Sequence, residues 1–194
     1  GIPMDNIVLH ATHSHTTPIL ENEEGDELKQ EYYRFVWRRM GDVAKFAVED
    51  LKEARMGWGV GQSPNVAFVR RFRMKDGKVR TNPGVGNPDI LHPIGDVDER
   101  VNVLRFDREG AETLVLVNFG NHPDSVGGNL VSADWPGFVR KYTEQAIPGT
   151  KCLFFTGVQG DVNHVNRFPE EWENNKGYDY GNAQRMGRVI TGAV

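Results

Sequence analysis

Three apolar runs in this chain end in the same way, and that shared ending limits the folds open to it. Ile7-Val8-Leu9 leads into Ala11-Thr12-His13-Ser14-His15-Thr16-Thr17-Pro18. Leu114-Val115-Leu116-Val117 leads into Gly120-Asn121-His122-Pro123-Asp124-Ser125. Cys152-Leu153-Phe154-Phe155 runs into Gly157 and then Gln159-Gly160-Asp161-Val162-Asn163. Short apolar runs closed by glycine and small polar residues have the pattern of buried strands. In an α/β sheet the ends of such strands are where binding and catalytic groups collect. Any one of these turns is ordinary. Together, each with His, Asp or Asn, they predict one shared site.

His13 and His15 are the sharpest chemical signal. Alternate residues of a strand share a face, so both imidazoles can enter one site at a strand end. Neutral imidazole is the commonest metal ligand, and a His-x-His pair offers a divalent ion two nitrogens without closing a loop. Taken alone, the pair fits buried histidines with backbone partners equally well. The His122 segment, continuing into Leu130-Val131-Ser132-Ala133-Asp134-Trp135-Pro136-Gly137, tips the reading toward a site.

The remainder mixes helices with hairpins. Asn6 to Ala11 is expected to be a buried strand that delivers the histidine pair. After the acidic turn Glu21 to Asp26, Leu28, Tyr32, Phe35, Val36, Met40, Val43, Ala47 and Leu51 keep helical spacing. They predict one long helix from about Glu27 to Ala54, with Tyr32, Phe35 and Trp37 as packing residues. Gly57-Trp58-Gly59-Val60-Gly61 then fits a helix stop and a turn. Val66 to Met74 fits a strand, with a hairpin turn at Asp76-Gly77 before Lys78-Val79-Arg80. Thr81 to Pro93 is an irregular loop long enough to serve as a lid. Gly84-Val85-Gly86 within it lacks the rest of any phosphate-loop pattern.

Val101 to Phe106 and Thr113 to Phe119 are expected to form an antiparallel pair, and Lys151 to Thr156 a further strand. Asp134 is expected to cap a helix with Pro136 in its first turn, running to Ala146 and stopped by Pro148-Gly149. Arg167 to Tyr180 reads as a polar loop before a last helix near Gly181. The fold class is therefore α/β, a mixed sheet flanked by helices. It is expected to be one domain over residues 1–194, with both ends cut from a longer protein.

With 194 residues the chain can bury a real core, and its net charge of -4 excludes nucleic acid as an expected partner. The basic cluster Arg70-Arg71-Phe72-Arg73-Met74-Lys75 suits a solvated strand edge better than a phosphate track. Cys152, the one cysteine, sits in an apolar run and reads as a small core residue. No apolar stretch approaches the ~20 residues of a membrane-spanning helix.

In their order, these segments resemble the catalytic domain of the neutral/alkaline, non-lysosomal ceramidase family. Its Thr-His-Thr-His-Ser-x-Pro-like segment is matched by Thr12-His13-Ser14-His15-Thr16-Thr17-Pro18. Its later histidine, followed by Ser-Ser/Ala-Asp, is matched by Asn121-His122-Pro123 and Ser132-Ala133-Asp134. Its Gly-Asp-Val-Ser-Pro-Asn is matched by Gly160-Asp161-Val162-Asn163-His164-Val165-Asn166. The resemblance implies a zinc amidase that cleaves the N-acyl bond of ceramide, with His13 and His122 as zinc ligands. His15 would be a nearby orienting or acid–base residue and Arg70 a site arginine. A Glu and a Tyr beyond residue 194 would complete the zinc shell. The resemblance further implies a lipid or small-molecule amide substrate met at a membrane surface, and a secreted, periplasmic or cell-surface location.

One departure bears on mechanism. Where the family has a serine, this chain has Asn163, which has no hydroxyl and cannot be a nucleophile. Zinc-activated water would then attack, and Asn163 could donate a hydrogen bond to the developing oxyanion. His164, in place of the family's proline, is expected in a surface turn. The competing reading is a degenerate family member that binds a lipid or glycan without catalysis. Metallo-β-lactamase-type enzymes are excluded because Thr16-Thr17-Pro18 follows His15 where they continue x-Asp-His. Amidohydrolase barrels need eight βα units, which these hairpins do not supply.

Overall fold

The computed structural model describes residues 1–20, 24–168 and 179–194. A 3-10 turn at Met4–Asn6 precedes α1 (Glu27–Glu49), β1 (Ala54–Gln62), β2 (Phe68–Val69), β3 (Arg71–Met74), β4 (Val79–Thr81) and β5 (Ile90–Pro93). Then follow β6 (Arg100–Arg108), β7 (Thr113–Phe119), α2 (Asp134–Ala146), β8 (Thr150–Thr156), β9 (Val162–Asn163) and α3 (Tyr180–Gly192).

Alternation along β7 sets the layers. Val115, Val117 and Phe119 are buried, while Leu114, Leu116 and Asn118 between them are only half-buried. A strand with period-2 burial has one face on a core and one turned outward. The sheet order is β1-β6-β7-β8. β1, β6 and β7 are antiparallel neighbours, whereas β7 and β8 run parallel, joined through α2 as a βαβ unit. The inner face contributes Val101, Val115, Val117, Phe119, Cys152 and Phe154; α2 and α3 cover it with Trp135, Phe138, Val139, Met186 and Ile190. Each large apolar side chain buried there contributes about 1.5–3 kcal/mol. Burial pushes the Cys152 thiol up to about 11, so it is a core residue and not a reactive one.

Two smaller sheets flank the site end. β2 pairs with β9, and β3 lies between β4 and β5. In β3, Phe72 and Met74 are buried and Arg71 and Arg73 exposed, so the basic cluster is a solvated strand face as expected. The predicted hairpin also forms, with Gly77 N–H donating to Met74 O across the turn. The segment from Thr81 to Pro93 is not the irregular loop expected: Thr81 ends β4, Ile90–Pro93 is β5, and between them Asn82 N–H donates to Arg70 O and Gly86 N–H to Arg167 O.

Several expectations need correction. Asn6 to Ala11 is not a buried strand: Val8 is 80% exposed, and the run past Asn6 has no regular structure. The free edge of β8 is met there by a side chain, with Thr156 N–H donating to His10 Nε2, so no backbone ladder forms. The long helix stops at Glu49, and Gly57 to Gly61 lies in strand β1. Glycine at alternate positions leaves one face of β1 bare, and at Gly61 a Cβ would sit 2.1 Å from Ala193 O. Close approach of another backbone, not a turn, requires that glycine. Tyr32, Phe35 and Trp37 are exposed, and no residue of α1 is buried. The outer sheet face, with Trp58 at 77% exposure beside Val60 and Leu104, is likewise uncovered among the described residues.

Asp134 begins α2 with φ of +51° and its carboxylate turns away from the helix's own second turn, so it is not the expected cap. Asp179 does cap α3, accepting from Asn182 N–H. The acidic turn at 21–23 and the loop at 169–178 lie outside the described residues.

Helices α2 and α3 meet closely in the core. A Cβ on Gly187 of α3 would lie 2.3 Å from Phe138 Cβ of α2 and 3.1 Å from its backbone carbon. Gly187→Ala should therefore lower the unfolding free energy by about 1–3 kcal/mol in urea denaturation. Gly192→Ala, with nothing within 4 Å, should leave it unchanged or slightly raised.

Candidate metal centre

Parallel register places the ends of β7 and β8 side by side, with Phe119 opposite Thr156. The turns that follow therefore meet. At residue 121 the side-chain Nδ2 donates to Val66 O at 2.8 Å, fixing the first turn to the segment before β2. At residue 122 the backbone carbonyl accepts from Trp135 Nε1–H at 3.0 Å, and Trp135 is fully buried. At the far end of the turn the Asp134 carboxylate accepts from the N–H groups of Ser125 and Val126, each at 2.8 Å, and from the Ser125 hydroxyl. The His122 turn is held from three sides.

The His122 ring is held as firmly. Its Nδ1 lies 2.8 Å from Gln159 O and 3.0 Å from Val162 O, both in the turn after β8. Carbonyl oxygens only accept, so Nδ1 carries the proton and Nε2 keeps its lone pair. Burial pushes the protonation of His122 down, the Arg70 charge adds to this, and the two carbonyls oppose it. A buried neutral imidazole with a fixed tautomer is ready to ligate a metal.

The histidine pair reaches this ring from the opposite side. Ser14 Oγ donates to Ser132 O at 2.8 Å, and Thr156 Oγ1 donates to Thr12 O at 3.0 Å. Between those ties His13 adopts φ of +67°. That left-handed conformation is costly for a non-glycine residue and belongs to sites where the surroundings over-determine it. It, and not strand alternation, brings the two imidazoles together. One ligand-capable nitrogen from each of His13, His15 and His122 falls within 4.8 Å of the other two. The rings stand edge-on to one another, with centroids 5.0 Å apart for His13–His15, 5.1 Å for His13–His122 and 5.7 Å for His15–His122. His15 Nδ1 also lies 3.1 Å from Asp124 Oδ1.

Arg70 and Asn163 flank the cluster. Arg70 Nη2 donates to Gly160 O at 2.6 Å, and its Nε is buried without a partner. Asn163 is buried in β9, the residue after the Val162 carbonyl that meets His122. Its Oδ1 accepts from Val165 N–H, and its Nδ2 is a buried donor without a partner. His164 is fully buried, not in a surface turn; burial first, then Arg167, His122 and Arg185, lowers its pKa to about 4.

All five residues expected at the site thus lie on segments that converge on it: His13, His15, Arg70, His122 and Asn163. Sequence reasoning assigned no role to Asp124 or Trp135. Asp124 stood in the His122 segment, and a carboxylate two residues from a candidate ligand was the available signal. Nothing in the sequence marked Trp135 as the donor to His122.

No protein-family model matches the sequence, and no curated protein matches it. Two solved structures are similar in fold. Neutral ceramidase from Pseudomonas aeruginosa aligns with a TM-score of 0.53 and 17% identity, over 77% of this chain and 23% of that one. A ceramidase complexed with C2 aligns with a TM-score of 0.51 and 19% identity, over 76% and 22%. The chain therefore spans less than a quarter of either structure and has a ceramidase-like fold.

His164 makes the stability of this region depend on pH. Its folded pKa lies below the ordinary value near ~6.5, so the unfolded chain takes up this proton first as pH falls. Its contribution is fully present above about pH 6.5 and is lost as pH falls toward about 4, by roughly 3 kcal/mol. Urea denaturation at pH 7 and pH 4.5 should show His164→Asn losing less stability over that interval than the wild type. Equal losses in both proteins would contradict the buried, neutral state.

Proposed function

We propose that the protein is a zinc-dependent hydrolase that cleaves an amide, most simply an N-acyl bond. The observation that carries this reading is the set of three imidazoles within 4.8 Å, one of them buried with its tautomer fixed for ligation. The donor set fits: nitrogen ligands suit zinc and not magnesium or calcium. Two of the buried atoms without partners, Arg70 Nε and Asn163 Nδ2, are donors on segments that meet at the His122 turn.

In this reading His13 and His122 bind the metal. Zinc held there supplies Lewis acidity, which activates water and polarises a carbonyl. Asn163 donates from Nδ2 to the substrate oxygen as negative charge develops, a role its amide can fill where a nucleophile's cannot. Arg70 places a cation beside the same region, and its charge adds to burial in lowering the pKa of His122. From the resemblance of its motifs we further propose an acylated substrate met at a membrane surface, and a secreted, periplasmic or cell-surface location.

Metal content of protein purified without chelators tests this directly. About one zinc per chain is expected, and none in His122→Ala. Asn163→Ala should keep its zinc and lose about 10²–10³ in kcat on N-acyl amides. Full zinc content in His122→Ala overturns the assignment. Zinc without turnover of any amide or ester supports instead a lipid- or glycan-binding module.

A further inference from the structure

We propose that His15, held by Asp124, is a third metal ligand, so that this chain itself supplies three imidazole nitrogens to one divalent cation. This rests on the metal-centre reading above and departs from the resemblance, which gives His15 an orienting or acid–base role.

The geometry favours ligation. Asp124 Oδ1 lies 3.1 Å from His15 Nδ1, and a carboxylate oxygen only accepts. Nδ1 therefore carries a proton, which leaves Nε2 as the atom free to ligate. His122 is arranged in the same way, with carbonyls of the 159–162 turn in place of the carboxylate. Two of the three rings thus have their distal nitrogen fixed by a hydrogen bond at the other. Metal-bound histidines are typically oriented in this manner, often by a carboxylate.

A second tie points the same way. His15 N–H donates to Pro123 O at 3.3 Å, so both backbone and side chain of His15 are fastened to the turn that carries His122. The distance between these two rings is set by one short loop. His13 is joined to them by its strained φ of +67°, a cost that edge-on ring contacts alone do not offset. A shared cation does offset it. Three histidine nitrogens suffice as the protein donors of a catalytic zinc site.

The experiment is zinc affinity by chelator competition on the intact protein, with absorption spectra of the cobalt-substituted form. His15→Ala should weaken zinc binding about as much as His13→Ala and should change the cobalt spectrum. Asp124→Ala should weaken it about 10–100-fold, and Asp124→Asn, whose amide oxygen still accepts, should recover part of that. Both residues are partly exposed, with side chains 39% and 27% accessible, so thermal unfolding should stay near wild type and serve as the control. Wild-type affinity and spectrum in His15→Ala, with binding lost in His13→Ala and His122→Ala, would falsify the third ligand and leave the metal centre standing. Failure of the wild-type protein to bind zinc would remove both.

Discussion

The site depends on the parallel pairing of β7 with β8. Antiparallel strands would send their following turns to opposite edges of the sheet. Parallel strands joined through α2 finish at the same edge, with Phe119 level with Thr156. Only then can the turn bearing His122 lie against the turn bearing Gln159 and Val162, and only then do those carbonyls reach Nδ1 of the imidazole. The core on the inner face holds this pairing, since Val117, Phe119 and Phe154 are buried against Trp135. Trp135 then has a second use. Its ring belongs to the core, and its indole N–H fixes the carbonyl of His122. Trp135 thereby links the packed core to the His122 turn directly.

Asp134 shows how a charge is made tolerable in that setting. A buried carboxylate costs several kcal/mol unless its oxygens are fully used. Here both oxygens are occupied by backbone N–H groups of Ser125, Val126 and Trp135 and by the Ser125 hydroxyl. The carboxylate therefore acts as a staple between the start of α2 and the turn that begins at His122. The φ of +51° at Asp134 is part of the same arrangement, because it aims the side chain back toward the turn.

How much was legible in the sequence follows from this layout. The β6–β7 hairpin, helix α2 and strand β8 were each readable from apolar runs and turn residues, but the parallel pairing of β7 with β8 was not. His122 and Asn163 were legible because they follow strand-like runs that do pair, whereas His13 and His15 follow a run that forms no strand and Arg70 came from the resemblance alone. What stayed hidden needed tertiary information. Gly57 to Gly61 has the composition of a turn, and the strand there comes from pairing with β6, with Ala193 requiring glycine at position 61 alone. His164 looked like a turn residue because nothing local says that β9 folds under the β2 segment. Ile7-Val8-Leu9 has strand composition, yet a strand needs a partner edge, and His10 takes the Thr156 N–H instead. Composition reports what a segment can do; pairing decides what it does.

Buried polar atoms without partners occur both at the site and elsewhere in the interior. Thr143 Oγ1 and Thr150 Oγ1 lie at the far end of α2 and β8, whereas Arg70 Nε, Asn121 Oδ1, Gln159 Oε1 and Asn163 Nδ2 belong to the segments that meet at His122. An orphaned buried donor or acceptor costs about 1–3 kcal/mol, so these segments carry part of that cost. Backbone strain falls here too: His13 and Asp134, two of the four described non-glycine residues with positive φ, lie on the segments that build this site. Backbone strain and unmet hydrogen-bonding capacity thus meet beside the histidine cluster, where the surrounding turns over-determine the geometry.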